Sequence, residues 1–155
     1  MSEAGAFKIT ATPHLRVRDA AKAIEFYKRA FGAVEVERLT LPNGMIPHAQ
    51  LKIGDAPFSL GEEAPQEGSP SPQTLGGSAV GIDLLVPDVD ALAAQAVAAG
   101  AVIVYEIKDQ FYGLRQGRLL DPFGHIWMIG TPIETLSPEE MQRRFDDLLK
   151  TQSSG

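Results

Sequence analysis

Apolar positions along this chain change period in one order, and then do so again. Lys8–Arg18 (KITATPHLRVR) alternates in part and carries β-branched residues, which predicts a strand. From Ala20 to Phe31 the period lengthens, with Ala23, Tyr27 and Ala30 falling beside Ile24 and Phe31 on one helical face. Asp19 stands where an N-cap acceptor belongs, and Gly32 is a left-handed stop. Val34–Leu41 is a second strand, and Pro42-Asn43-Gly44 a hairpin turn, Asn-Gly being suited to positive φ. Met45–Ile53 and Pro57–Gly61 are two further strands, parted by a turn at Gly54-Asp55. Glu62–Ala79 is rich in Pro, Gly, Ser and Gln, and predicts a linker or long loop with little capacity to form a core.

After that linker the order starts again. Val80–Val86 is a strand, Asp88 a cap, Val89–Ala99 an Ala-rich helix and Gly100 its stop. Val102–Ile107, Leu114–Leu120 and His125–Gly130 follow, the last two joined by a turn at Asp121-Pro122-Phe123-Gly124. Leu15–Asp19 (LRVRD) recurs as Leu84–Asp88 (LLVPD), 69 residues on, and the helix stop Gly32-Ala33 recurs as Gly100-Ala101. The expectation is an α+β fold of two βαβββ modules, spanning residues 8–61 and 80–131, with the linker at 62–79. One such module exposes a sheet face that must be covered, so two of them predict a half-open barrel with a concave, ligand-sized inside. Ser137-Pro138-Glu139-Glu140 forms a capping box for a C-terminal helix over residues 137–150, whose apolar stripe of Met141, Phe145, Leu148 and Leu149 must dock on the sheet or on a second subunit.

Composition narrows the class of partner. The 155 residues suit a single domain, large enough to fold without disulfide or structural metal. There is no cysteine, which removes thiolate chemistry and Cys-based metal clusters. The net charge of -6, with Arg143-Arg144 the densest basic pair, argues against a nucleic-acid surface. No apolar run approaches the roughly 20 residues of a membrane span, and the N-terminus lacks a signal-peptide core, so a cytoplasmic protein without membrane attachment is expected.

Pro13–Ala33 (PHLRVRDAAKAIEFYKRAFGA), the hairpin at Leu51–Leu60, Tyr112–Trp127 (YGLRQGRLLDPFGHIW) and Leu136–Arg144 (LSPEEMQRR) together resemble the vicinal oxygen chelate superfamily. Within it they look most like the PhnB-like glyoxalase/bleomycin resistance/dioxygenase group. The resemblance implies the glyoxalase/bleomycin resistance fold and a homodimer. In metal-dependent members it implies one divalent ion held by His or Gln on each module's first strand and Glu on each module's last. Carried onto this chain, those positions fall at Thr12, with His14 two residues on, and at Gly81, with Asp83 two residues on. On the last strands they fall at Ser59 or Leu60, with Glu62 just beyond, and at Met128. The standard donor set is therefore missing.

Candidate ligand-binding residues are His14, His48, Gln50, Asp83, Phe111, Tyr112, Arg115 and Trp127. His14 suits a shifted ligand, an acid/base group or a strand histidine bonding a neighbour; His48 and Gln50 share a strand face; His125 suits a turn hydrogen bond. Asp83 interrupts an apolar strand, and so faces solvent, pairs with Arg16 or Arg118, or faces the cavity. Phe111, Tyr112 and Trp127 suit a flat or partly apolar ligand and Arg115 an anionic group on it, with core packing the equal alternative for Phe111 and Trp127. The leading expectation is a small-molecule-binding protein that needs no cofactor and takes an aromatic or polar metabolite or drug. The alternative is a metal-dependent lyase, isomerase or dioxygenase using Zn, Ni, Mn or Fe on a non-standard set drawn from His14, His48, Glu62 or Asp83.

Overall fold

The computed structural model describes residues 6–153, and its elements follow the order of the repeat. The first unit is β1 (His14–Val17), α1 (Ala20–Phe31), β2 (Val34–Leu39), β3 (His48–Ile53) and β4 (Ala56–Glu62). A short helix, α2 (Pro72–Leu75), lies in the connecting segment. The second unit is β5 (Gly81–Leu85), α3 (Val89–Ala99), β6 (Val102–Asp109), β7 (Leu114–Leu120) and β8 (Ile126–Pro132), followed by α4 (Pro138–Ser153). Each unit is a four-stranded mixed sheet, ordered β1-β4-β3-β2 and β5-β8-β7-β6, with the first strand parallel to the last. The expected α+β fold of two βαβββ modules is what forms. The sheets do not pair with each other, and no barrel closes.

The helices begin and end where side chains satisfy their free amides. Asp19 Oδ1 accepts from the Lys22 amide at 3.1 Å, and Asp88 Oδ1 from the Ala91 amide at 3.1 Å. Gly32 ends α1 at φ 68°, a conformation that costs glycine nothing. β1 is shorter than the predicted Lys8–Arg18 strand. Among the described residues its partner is β4 alone, starting at the pair His14 with Ser59, and Pro13 has no amide hydrogen with which to extend that ladder.

α1 packs along α3 and across the backs of both sheets. Tyr27 meets Phe58 of β4 edge-on at 5.3 Å and Trp127 of β8 at 5.6 Å, while Phe31 lies 4.7 Å from Trp127. Removing each such ring from water contributes roughly 1.5–3 kcal/mol. In the middle of this aromatic core sits the carboxylate of Asp121, 4% exposed, with four donors around it. Its Oδ1 accepts from the amides of Phe123 (2.8 Å) and His125 (3.0 Å), and its Oδ2 from the Tyr27 hydroxyl (2.5 Å) and the Trp127 indole (3.0 Å). Burial and the neighbouring Asp121 charge keep Tyr27 protonated far above the usual tyrosine range.

The connecting segment is ordered by polar bonds rather than by a core of its own. Glu63 Oε1 accepts from the Ser71 amide (2.8 Å) and the Thr74 hydroxyl (2.6 Å), and α2 lays Pro72 against the turn at Gly124. α4 docks through its first turns. Phe145 stacks on Phe111 at 5.5 Å, and Arg144 reaches Glu134, Glu140 and the Phe111 carbonyl. All four residues of the predicted stripe, Met141, Phe145, Leu148 and Leu149, remain exposed, and the helix buries none of its side chains. Among the described residues, no helix is long and apolar enough to cross a membrane.

Candidate functional site

Alternation divides each sheet into a face buried under α1 and α3 and an open face. In the first sheet Leu15, Val17, Ala49, Leu51, Phe58 and Leu60 point into the core. The residues between them make a row across all four strands, His14–Ser59–Gln50–Glu37, in direct register, open at His14, Gln50 and Glu37 and buried at Ser59. The matching row of the second sheet is Asp83–Met128–Arg118–Tyr105. Each residue of one row stands at the same place in its module as its counterpart in the other.

The first row is occupied with itself. The rings of His14 and His48 stack at 5.9 Å, and His48 Nε2 lies 3.3 Å from a Glu37 carboxylate oxygen. Partial burial, then the charge of Arg16 and the proximity of His48, hold the His14 pKa below its usual value. Gln50 lies on this face as expected. Glu62 does not. Its side chain turns to the helix side, where Oε1 accepts from the Ala20 amide (2.7 Å) and Oε2 from the Ile46 amide (2.8 Å). Thr131 does the same in the second module, accepting from the Val89 amide at 2.8 Å. Glu62 is thus committed to the positive end of α1 and is not grouped with His14 and His48.

The second row borders a cleft of about 500 Å³, whose walls include Tyr105, Lys108, Tyr112, Gln116, Arg118 and Met128. Arg118 lies over the Tyr105 ring, 4.6 Å from its centroid. The Tyr112 hydroxyl donates to Gln116 Oε1. Its pKa is raised by burial and by the charge of Asp83, partly offset by Arg118. The strand that carries Tyr105 is bulged, with register shifts on both sides of that residue, and Gly117 opposite permits it. A Cβ at Gly117 would lie 2.7 Å from the Tyr105 carbonyl oxygen and 2.6 Å from Ile107 Cγ1.

Among the sequence candidates, Tyr112 and Asp83 come together on this open face. Asp83 is exposed there, one of the three placements left open for it, and makes no ion pair with Arg16 or Arg118. Three others lie elsewhere. Arg115 is one residue out of phase on β7 and is engaged by Asp90 (2.8 Å) and Asp109 (3.1 Å). Trp127 is 1% exposed and belongs to the core around Asp121. Phe111 is packed by α4. His125 makes more than a turn contact: its Nε2 is 2.9 Å from the Arg16 carbonyl and must carry the proton, since a carbonyl only accepts. That bond ties the hairpin of one module to the first strand of the other. The sequence offers Arg118 only as a partner for Asp83 and Asp121 only as a turn residue, and it does not single out Tyr105 at all. Arg118 and Tyr105 share a face with Met128 once β6 and β7 are put in register, and the Asp-Pro-x-Gly turn is the signal for Asp121.

The divalent-metal site of metal-dependent superfamily members does not fit these residues. The corresponding places hold His14 beside Ser59 in one sheet, and Gly81, Asp83 and Met128 in the other. Met128 fills the space over Gly81, where an added Cβ would lie 2.9 Å from its terminal methyl. A thioether and a glycine are poor donors for a hard or borderline ion. Among the described residues, no three His, Asp or Glu side chains gather as a metal cluster.

Comparison with known proteins agrees with this architecture. The model of the Glyoxalase/Bleomycin resistance protein/Dioxygenase superfamily matches residues 8–129, and the chain belongs to that superfamily. An uncharacterized protein of Mycobacterium tuberculosis is 44% identical over 134 residues, covering 84% of this chain and 79% of its own length. The structure of a gene product from Arabidopsis thaliana matches with a TM-score of 0.64 at 29% identity, over 80% of this chain and 99% of that one. TioX from Micromonospora sp. ML1 matches with a TM-score of 0.62 at 27% identity, over 83% of this chain and 100% of that one.

Proposed function

We propose that this chain is a small-molecule-binding member of the superfamily that works without the standard metal site. It holds an aromatic or polar metabolite or drug on the open face of its second sheet. The row Asp83–Met128–Arg118–Tyr105 carries this reading, because it puts a thioether and an aromatic-backed guanidinium beside a ligand-sized cleft. Binding of this kind needs shape and a few oriented polar groups, not a Lewis acid. A fragment titration followed by amide NMR on dialysed protein tests it. The expected result is perturbation of β6, β7 and β8 amides that excess EDTA leaves unchanged. The metal-dependent lyase, isomerase or dioxygenase reading is favoured instead if purified protein carries stoichiometric Zn, Ni, Mn or Fe that His14→Ala removes.

A cytoplasmic homodimer is the working form in this proposal. The outer strands of both sheets expose apolar residues, Val34, Val36 and Leu39 on β2 and Val102, Ile103 and Val104 on β6, which a second copy would cover. Light scattering on the full chain should return twice the monomer mass; a monomer at all concentrations would refute the pairing.

A further inference from the structure

We infer that the ligand of the second-sheet cleft is a planar organic anion, specifically an aromatic carboxylate held by Arg118 against Tyr105 and Tyr112. The inference rests on the proposal that this cleft is the binding site. A comparison of the arginines carries it. Arg18 is bonded to Glu63, Arg38 to Glu35, Arg115 to Asp90 and Asp109, and Arg143 and Arg144 to Glu140. Arg16 donates to the Glu62 carbonyl, and Arg29 projects from an exposed position on α1. Among the described residues, Arg118 is the half-buried arginine whose guanidinium meets only a ring face and gives no hydrogen bond to an acceptor.

A guanidinium has five donors in a flat fork, and partly removing them from water without an acceptor is unfavourable. A carboxylate accepts from that fork through two parallel bonds. The flatness of the ligand follows from the walls. Tyr105 already backs Arg118, and Tyr112 is fixed by its bond to Gln116 Oε1, which leaves the Gln116 amide nitrogen as a further donor beside the cleft. The charge of the ligand follows from the surroundings. Lys108 adds a second positive group, but Glu106 and Asp83 flank the same face, so the field suits a single negative charge better than a phosphate dianion.

Paired titrations with naphthoate and its neutral analogue naphthamide, read by amide NMR, test the inference on the full chain. Naphthoate should perturb β6 and β7 amides and bind roughly tenfold or more tightly than naphthamide, with an affinity that falls as salt is added. Arg118→Gln should lower naphthoate affinity to about that of naphthamide and change naphthamide affinity far less; Arg118→Lys should recover only part of the difference. A dispersed amide spectrum of each variant confirms that it is folded. Equal binding of acid and amide to the wild-type chain, or naphthoate affinity unchanged in Arg118→Gln, overturns the anion assignment while leaving the cleft as the site. Perturbation by neither compound, or perturbation away from β6 and β7, overturns the cleft itself.

Discussion

The two open faces share a backbone plan and differ in chemistry. In the first module the row is His14, Ser59, Gln50 and Glu37; in the second it is Asp83, Met128, Arg118 and Tyr105. The first is polar throughout, and its charged member already has His48 as a partner. The second puts an arginine without an anion beside an aromatic ring and a thioether, with a cleft next to it. Behind the faces the asymmetry reverses. α1 supplies Phe26, Tyr27 and Phe31 to the core, whereas α3 buries only Val89, Ala93 and Ala96, and its small residues let α1 lie close. Duplication of a unit preserves the ladder and the caps, because these are backbone requirements. The residues between the ladder bonds are free to diverge, and there the two modules have separated into one face that satisfies its own groups and one that leaves them available.

The largest expected effect comes from the joint both modules share. Asp121→Ala strands the Tyr27 hydroxyl, the Trp127 indole and two amides in the core, and should cost about 3 kcal/mol or more in urea unfolding. A loss below about 1 kcal/mol would mean that the two halves do not depend on this carboxylate. Next is Gly117→Ala, which sets a methyl against the Tyr105 carbonyl and should cost about 1–3 kcal/mol while displacing the bulge that presents Tyr105. Ligand-induced stabilisation should fall with it, while Gln50→Ala in the first row leaves that stabilisation intact; equal losses in both variants would erase the distinction between the faces.

The smallest effect concerns pH. Bonds from Thr74 and the Ser71 amide, helped by Arg18, lower the Glu63 pKa to about 2 from 4.5. A carboxylate depressed on folding stabilises above its unfolded value and loses that contribution as pH falls through its folded one. The Tm of the wild-type chain should therefore exceed that of Glu63→Gln at neutral pH, with the gap closing between pH 4.5 and about 2. A gap that persists at the acid end would assign the stabilisation to something other than the ionised carboxylate.

Several residues show where reading the chain in one dimension reaches its limit. Arg115 and Arg118 sit three apart on one strand, so they point to opposite faces, but which face is open depends on where α3 lies. By type Phe111 and Trp127 suit either the ligand side with Tyr112 or the core, and only packing decides: α4 covers the first and the Asp121 network holds the second. The segment 62–79 reads as a linker by composition, yet Glu63 holds it through contacts eight and eleven residues away. Glu62 reads as a metal candidate, yet its carboxylate is taken by the amides of Ala20 and Ile46.

What the chain alone determined were the features that local physics decides. Asp19 and Asp88 cap because an aspartate before a helix satisfies free amides, Gly32 stops because it alone enters the left-handed region without strain, and the repeat follows from the recurrence of such signals in order. Tertiary structure decided everything that depends on which strands become neighbours. Register brought Asp83, Met128, Arg118 and Tyr105 into one line from four separate strands, and packing of α1 across both sheets chose which side of that line would stay open. A side chain's period along its own strand is a local property. The identity of the residue beside it, and therefore its chemistry, exists only once the sheet has formed.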